Sequence, residues 1–100
     1  DANKFLGNTE KNSVVITDES PVVYYYTKKE THFYPNPWDY GILKNWIKDD
    51  YPNKEVYVLF GSYVIKPATE YEQMKNDLDN DSEKVFVCQR GDAFAYVYKL

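Results

Sequence analysis

Residues 55–60 have the sequence Glu-Val-Tyr-Val-Leu-Phe, a nearly continuous apolar run that Gly61 and Ser62 follow. A run without polar alternation is typical of a β-strand buried on both faces, as in a parallel sheet that helices cover. Parallel neighbours are joined by crossover connections, which are usually helices. This stretch therefore predicts an α/β fold.

An amphipathic helix is predicted before this strand. Asn36-Pro37 is a helix-start signal, because asparagine can cap and proline fits the first helical position. Asp39 is placed to accept amide protons of the first turn. The helix is expected to end near Asp50. Its apolar residues recur at helical spacing and are Ile42, Leu43, Trp46 and Ile47.

The N-terminal side predicts two strands with a helix between them. Residues 14–17 are all β-branched and favour a short buried strand, and residues 31–34 favour a second one. Ser20-Pro21 signals a helix over residues 21–28. The run over residues 22–26 also has strong strand propensity, so a strand stays open as the alternative there.

The C-terminal side predicts one helix and a hairpin. One helical stripe is formed by Tyr71, Met74 and Leu78. Residues 84–89 and 93–100 then form two strands around Arg90-Gly91-Asp92. Three residues are too few for a crossover, so these two strands must be antiparallel.

The resulting element order is β-α-β-α-β-α-β-β. It predicts an α/β three-layer sandwich with a mostly parallel sheet and a C-terminal antiparallel hairpin. We expect strand order 2-1-3-4, with the fifth strand antiparallel at the end. Residues 1–12 are polar and mixed in charge, so we expect a linker or lead-in there, with Phe5 and Leu6 docking on the body. Residues 13–100 are expected to form a single domain.

Composition excludes several classes of function. Lys and Arg total 12 against 16 Asp and Glu, which gives a net charge of −4 and no cationic excess for nucleic acid. The longest apolar run, residues 93–98, is far shorter than the ~18 residues of a membrane span. A single cysteine, Cys88, rules out an internal disulfide and a multi-cysteine zinc site. No nucleotide-binding glycine motif occurs, and we expect no cofactor and no metal.

Tyrosine and methionine usage is also informative. Tyrosine supplies 11 aromatic side chains, and it suits half-buried positions because its ring is apolar and its hydroxyl group favours water. Met74 is the only methionine. Residue 1 is therefore not an initiator, and we expect a piece of a larger protein.

The predicted ligand site lies at the carboxyl ends of the parallel strands, where such sheets bind ligands. Four residues are candidates: Asp18 after strand one, Asn36 after strand two, and Gly61 and Ser62 after strand three. Two predicted helices begin at this edge, so their amide protons, with Ser62 and Asp18, could hold an anionic or sugar ligand. The alternative is that these residues serve only as caps and turns.

Two other constellations carry less weight. Cys88 and His32 are the only candidates for a thiol nucleophile and its base, but cysteine in a buried strand commonly behaves as a small hydrophobe. Residues 77–83 imitate the start of a calcium loop, but Ser82 stands where that loop needs glycine, so a solvated helix end and turn is favoured. No catalytic or metal-binding residue is predicted.

Residues 14–60 also carry a recognisable series of motifs. In chain order these are a β-branched strand ending in Thr17-Asp18, then Ser20-Pro21, Tyr25-Tyr26-Thr27-Lys28-Lys29, Phe33-Tyr34-Pro35, a helix bearing Leu43, and a strand over residues 56–59. The series resembles the small soluble domain that follows the last transmembrane helix in many polytopic membrane glycosyltransferases of the dolichyl-phosphate-mannose-dependent and aminoarabinose-transferase-like kind. The final strand, residues 95–100, is similar too. Lys28 and Lys29 stand where many of those proteins carry arginine.

That resemblance implies a parent enzyme that transfers a sugar from a lipid-phosphate-linked donor, with its catalytic acids outside this chain. The chain itself would be a non-catalytic accessory domain on the extracytoplasmic face of a membrane. It would contact the acceptor, a lipid headgroup or neighbouring loops of its own membrane-embedded chain.

An alternative from a different class is a free-standing α/β binding or regulatory protein that recognises a protein partner through a tyrosine-rich surface. The gene upstream of residue 1 separates the two, because only a membrane glycosyltransferase would encode many apolar spans there.

Overall fold

Three helices and five strands are described, and they confirm the α/β class. The computed structural model describes residues 2–9, 12–17, 27–34, 39–61 and 68–100. In chain order the elements are α1 (Ala2–Gly7), β1 (Val14–Ile16), β2 (Glu30–His32), α2 (Tyr40–Asp50), β3 (Val56–Gly61), α3 (Ala68–Asp81), β4 (Glu83–Arg90) and β5 (Ala93–Lys99). Most of the helix predicted over residues 21–28 lies outside the described residues.

The five strands form one mixed sheet in the order β2-β1-β3-β5-β4. β1 pairs in parallel with β2 and β3, whereas β5 pairs antiparallel with both β3 and β4. The expected order of the first three strands and the C-terminal hairpin are confirmed. The expectations of a mostly parallel sheet and of β5 at its end are wrong, because the hairpin returns its second strand to β3.

Burial explains why β5 rather than β4 takes the inner position. Val97 and Tyr98 lie on opposite faces of β5 and are both fully buried, whereas Val87 in β4 is 55% exposed. An inner strand needs apolar side chains on both faces, and β5 supplies them. β4 begins with the charged residues Glu83 and Lys84, which an edge strand accommodates at lower desolvation cost.

One face of the sheet packs against α2 and α3. Because side chains alternate along a strand, every second residue points to this face. The buried strand residues in this cluster are Val14, Ile16, Val56, Val58, Phe60 and Tyr98, and the helices contribute Tyr40, Leu43, Met74 and Leu78.

The other face packs against α1. Leu6 is fully buried in a cluster with Val15, Leu59 and Val97. The ring of Phe5 lies 5.2 Å from the ring of Phe86. Phe5 and Leu6 therefore dock on the sheet as expected, but the predicted linker or lead-in contains a helix that was not expected. The division of the chain at residue 12 stays a prediction.

The start of α2 follows from a capping side chain. Asp39 has an extended backbone, and its Oδ1 accepts a hydrogen bond from the amide of Ile42 at 3.0 Å. This satisfies one of the amide groups that a helix N-terminus leaves without an intrahelical partner. At the other end the amide of Tyr51 still donates to the carbonyl of Ile47.

The hairpin that joins β4 to β5 has two irregular points. Gly91 turns the chain with a φ of 61°, a conformation that glycine adopts without steric cost. Between Lys84 and Phe86 the register shifts, so Val85 is an extra residue in a β-bulge.

The described helices are short. α3 is the longest of them at 14 residues, and none within the described ranges combines the length and apolar character needed to cross a membrane.

Candidate functional site

The structure describes one of the four predicted site residues. Gly61 is the last residue of β3; it is buried and lies opposite Ala95 of β5. Asp18, Asn36 and Ser62 lie outside the described residues, and their roles stay predictions. β1, β2 and β3 are mutually parallel, so their carboxyl ends do share one edge of the sheet. We call this end of the sheet, where the three strands finish, the carboxyl edge; it is distinct from the outer strands β2 and β4.

The described part of the carboxyl edge presents an aromatic side chain that the sequence analysis did not select. Phe33 directly follows β2 and is 57% exposed, more than any other described large hydrophobic residue. Next to it, Tyr34 is buried, and its hydroxyl donates to the carbonyl of Leu59 at 2.8 Å. Tyr34 is therefore an anchor for this segment, whereas the ring of Phe33 is exposed at the surface.

A second group of polar and aromatic side chains joins β2 to the end of α2. This β2 cluster consists of Glu30, His32, Trp46, Tyr51 and Lys54. The Nε2 of His32 lies 2.7 Å from Glu30 Oε2 and 2.7 Å from the hydroxyl of Tyr51, and Lys54 Nζ lies 2.9 Å from Glu30 Oε1. The Trp46 ring packs edge-on against the rings of His32 and Tyr51 at 5.7 and 5.4 Å.

The electrostatics of the β2 cluster indicate a structural role. Hydrogen bonds from His32 and then from Lys54 lower the pKa of Glu30 from 4.5 to about 2, although partial burial opposes them. A carboxylate with so low a pKa is a poor proton acceptor at neutral pH. The cluster therefore fastens the edge strand β2 to the end of α2.

The carboxylates of the calcium-like stretch are also occupied by protein groups. Asp79 accepts a hydrogen bond from Tyr98 at 2.6 Å and is ion-paired with Lys75 and Lys84 at 3.1 and 3.2 Å. Burial alone would raise the pKa of Asp79, but these hydrogen bonds outweigh it and hold the pKa below its ordinary value.

Asp81, two residues further on, joins α3 to α2. It binds Lys44 at 2.7 Å and accepts a hydrogen bond from the hydroxyl of Tyr40 at 2.9 Å. The hydrogen bond from Lys44 lowers the pKa of Asp81. Over the part of the chain that is described, no three metal-ligating side chains come together. The helical conformation up to Asp81 agrees with a helix end rather than a calcium loop.

The geometry excludes a dyad of Cys88 and His32. β4 and β2 are the two outer strands of the sheet, so the residues are separated by four strand spacings, roughly 19 Å. They also point to opposite faces of the sheet. His32 pairs with Ile16, on the face that α2 and α3 cover, whereas Cys88 pairs with Ala95, on the face that α1 covers. Cys88 and His32 therefore do not form a nucleophile and its base.

Cys88 is partly exposed rather than buried. The reason is the strand order: β5 occupies the inner position, which leaves β4 at the edge. With Ala93, Phe94 and Ala95, the thiol lines an open groove of about 220 Å³.

The tyrosine side chains that are described lie mostly in the core. Tyr34, Tyr40, Tyr57 and Tyr98 are buried, and Tyr51 and Tyr96 are partly buried. The side chains of the other five tyrosines, at positions 24–26, 63 and 71, are not described, so a tyrosine-rich surface stays a prediction.

Comparison with known proteins gives no relative. No protein-family model, no curated protein and no solved structure matches this chain.

Proposed function

We propose that this chain is a non-catalytic accessory domain of a membrane-bound glycosyltransferase that uses a lipid-phosphate-linked sugar donor. The domain lies on the extracytoplasmic face of the membrane and contacts the acceptor glycan, the lipid headgroup or neighbouring loops through the carboxyl edge. The ligand residues are Asp18, Asn36, Gly61 and Ser62, with Phe33 beside them.

The observation that carries the proposal is the position of Phe33. An aromatic ring that is 57% exposed stands next to the edge at which an α/β sheet binds its ligands. Aromatic rings supply apolar contact to sugar rings and to lipid chains, and burial of so large an exposed group on binding is favourable. The series of motifs over residues 14–60 supports the assignment to a glycosyltransferase.

The proposal includes a three-layer architecture. In it, α2 and α3 form one layer, the sheet forms the second, and α1 with the helix predicted over residues 21–28 forms the third. Its support is that separate apolar clusters occur on the two faces of the sheet. With both faces covered, the edges of the sheet are left for ligands and partners.

Ligand binding by the 100-residue chain tests the proposal. Calorimetry is performed with a short mannan oligosaccharide and, separately, with a water-soluble polyprenyl-phosphate headgroup analogue. Co-sedimentation with anionic phospholipid vesicles forms a third arm. Binding to at least one probe is expected, and Phe33→Ser is expected to weaken it about tenfold or more, the equivalent of ~1.4 kcal/mol.

Ile42→Ser is the matched control. Ile42 is also an exposed apolar residue, at 39%, but it lies on α2. The Ile42→Ser variant should bind each probe as tightly as the unmodified chain does. If the chain binds none of the three probes, the proposed contacts with acceptor and headgroup are wrong. If both substitutions weaken binding equally, the carboxyl edge is not the binding surface.

A further inference from the structure

β4 leaves one side of its backbone without a strand partner among the described residues. It is an outer strand of the sheet and pairs only with β5. With eight residues it is the longest described strand. A long edge strand presents a row of N–H and C=O groups to which another strand can add.

The charged side chain nearest to the middle of β4 does not shield this edge. Lys84 is directed back over the sheet, where its Nζ lies 4.2 Å from the centre of the Tyr96 ring and 3.2 Å from Asp79 Oδ1. At the centre of the strand, Val87 is 55% exposed. The middle of the edge therefore presents an apolar side chain and unpaired backbone.

The β-bulge makes β4 complementary to itself. Glu83 is in register with Lys99 of β5, and position 90 is in register with Ala93 of β5. Lys99 and Ala93 are six residues apart, an even number, so the backbone places positions 83 and 90 toward the same face. Without the extra residue Val85, an odd separation of seven would place them on opposite faces.

We propose that β4 pairs antiparallel with β4 of a second copy of this chain, which joins two five-stranded sheets into one. The two-fold axis passes between the two Val87 residues. Phe86 of one copy then lies opposite Cys88 of the other. Because the bulge leaves Val85 unpaired, Lys84 lies opposite Gln89 of the other copy, and Glu83 lies opposite the arginine at position 90. Apolar residues meet at the centre and opposite charges meet at both ends, as cross-strand pairing favours.

The neighbouring registers are less favourable. Moving the axis by one residue toward the hairpin turn places the arginine at position 90 opposite Phe86. Moving it one residue the other way places Lys84 opposite Val87. Each shift sets a charge against an apolar side chain and separates Glu83 from its opposite charge, so the pairing centred on Val87 is selected.

Sedimentation over a wide range of concentrations tests this pairing. The chain is expected to be a dimer, and Val87→Lys should raise the dimer dissociation constant at least tenfold, because two lysines would meet on the axis. Ile42→Lys adds the same charge to an exposed apolar residue of α2 and should leave the dissociation constant unchanged. Glu83→Arg should weaken the dimer and Glu83→Arg with Arg90→Glu should restore it.

Cross-linking provides a test that does not depend on stability. In a Cys88→Ser background, Val87→Cys should form a disulfide between two chains, since residues opposite each other on the axis have suitable spacing. Gln89→Cys in the same background should not, because Lys84 lies opposite it. A monomer at every concentration, a dimer that Val87→Lys leaves intact, or a disulfide from Gln89→Cys instead would each overturn the proposal.

Discussion

The buried tyrosines hold their hydroxyl groups in hydrogen bonds within the protein. Composition predicts half-buried tyrosines with hydroxyls in water, but Tyr98 is fully buried and donates to Asp79 at 2.6 Å. Tyr34 donates to the carbonyl of Leu59, and Tyr40 to Asp81. Each hydroxyl links an apolar core position to a neighbouring element, which a count of tyrosines does not reveal.

Removing the hydroxyl of Tyr98 tests how much such a link contributes. We expect Tyr98→Phe to lower the free energy of unfolding by about 1–2 kcal/mol, because Asp79 loses a short hydrogen bond at a partly buried site. Urea denaturation measures this. Tyr96→Phe is the control: its hydroxyl donates to the exposed Gln89 at 3.3 Å, so a change within about 0.5 kcal/mol is expected. Equal losses in the two variants would contradict the account.

The β2 cluster predicts a pH dependence of stability. The pKa of Glu30 is lowered from 4.5 to about 2 in the folded chain, so its contribution is complete above pH 4.5 and is lost as the pH falls toward 2. Glu30 is 40% exposed, so solvent screening limits the contribution to about 1 kcal/mol or less.

Thermal unfolding from pH 6 to pH 2 measures this contribution. The melting temperature of the unmodified chain should approach that of Glu30→Gln as the pH falls. Asn45→Ala, which changes no titratable group at an exposed position on α2, should keep a constant offset from the unmodified chain over that range. A constant offset for Glu30→Gln as well would show that the cluster does not hold the carboxylate ionised.

At the scale of the elements, α2 begins at Tyr40, later than the Asn36-Pro37 signal predicts, because Asp39, which was expected inside the first turn, is its N-cap. Asp39→Ala should lower the free energy of unfolding by about 1 kcal/mol, since the amide of Ile42 loses its acceptor. Asp39→Asn keeps a side-chain oxygen and should cost much less. Chemical denaturation of the three chains provides the comparison, and an equal loss for alanine and asparagine would argue against a capping role.

α1 tests whether the N-terminal segment belongs to the folded core. Leu6 is fully buried, so Leu6→Ala is expected to cost about 2–4 kcal/mol through lost burial and a residual cavity. Asn8→Ala, at an exposed position after α1, should change stability by less than about 0.5 kcal/mol. If Leu6→Ala is as mild as Asn8→Ala, the helix does not dock on the sheet in solution.

Except for α1, which was expected to be a linker or lead-in, the described elements correspond to predicted ones, and the reason is local. Helical spacing and the acceptor side chain of Asp39 define α2, and an unbroken apolar run defines β3. Strand order depends instead on which strand of the closing hairpin is more apolar on both faces. The alternation of Phe94, Tyr96 and Tyr98 with Ala95 and Val97 was the signal that β5 is an inner strand.

At the scale of the whole molecule, the sequence predicts where the candidate site lies in the sheet but not all of its residues. The parallel pairing of β1, β2 and β3 places their carboxyl ends together, as the element order implied. Phe33 was missed because a strand-end phenylalanine looks like a core residue until the strand is known to end at His32.

The two proposed surfaces are compatible with each other. Ligands occupy the carboxyl edge beside β1, β2 and β3, whereas a second copy adds to the outer side of β4, beyond β5. A dimer formed through β4 therefore leaves both ligand sites accessible. Its two carboxyl edges point in opposite directions, because the paired β4 strands are antiparallel.

Binding of a ligand of lipid-linked sugar chemistry at the carboxyl edge can be measured by NMR. The isotope-labelled chain is titrated with the polyprenyl-phosphate headgroup analogue, and its amide chemical shifts are followed. We expect saturable shifts at Phe33 and Gly61, together with Asp18, Asn36 and Ser62, while the amides of α3 stay unchanged. Unchanged amides at Phe33 and Gly61 at the highest ligand concentration would show that this edge does not bind the ligand.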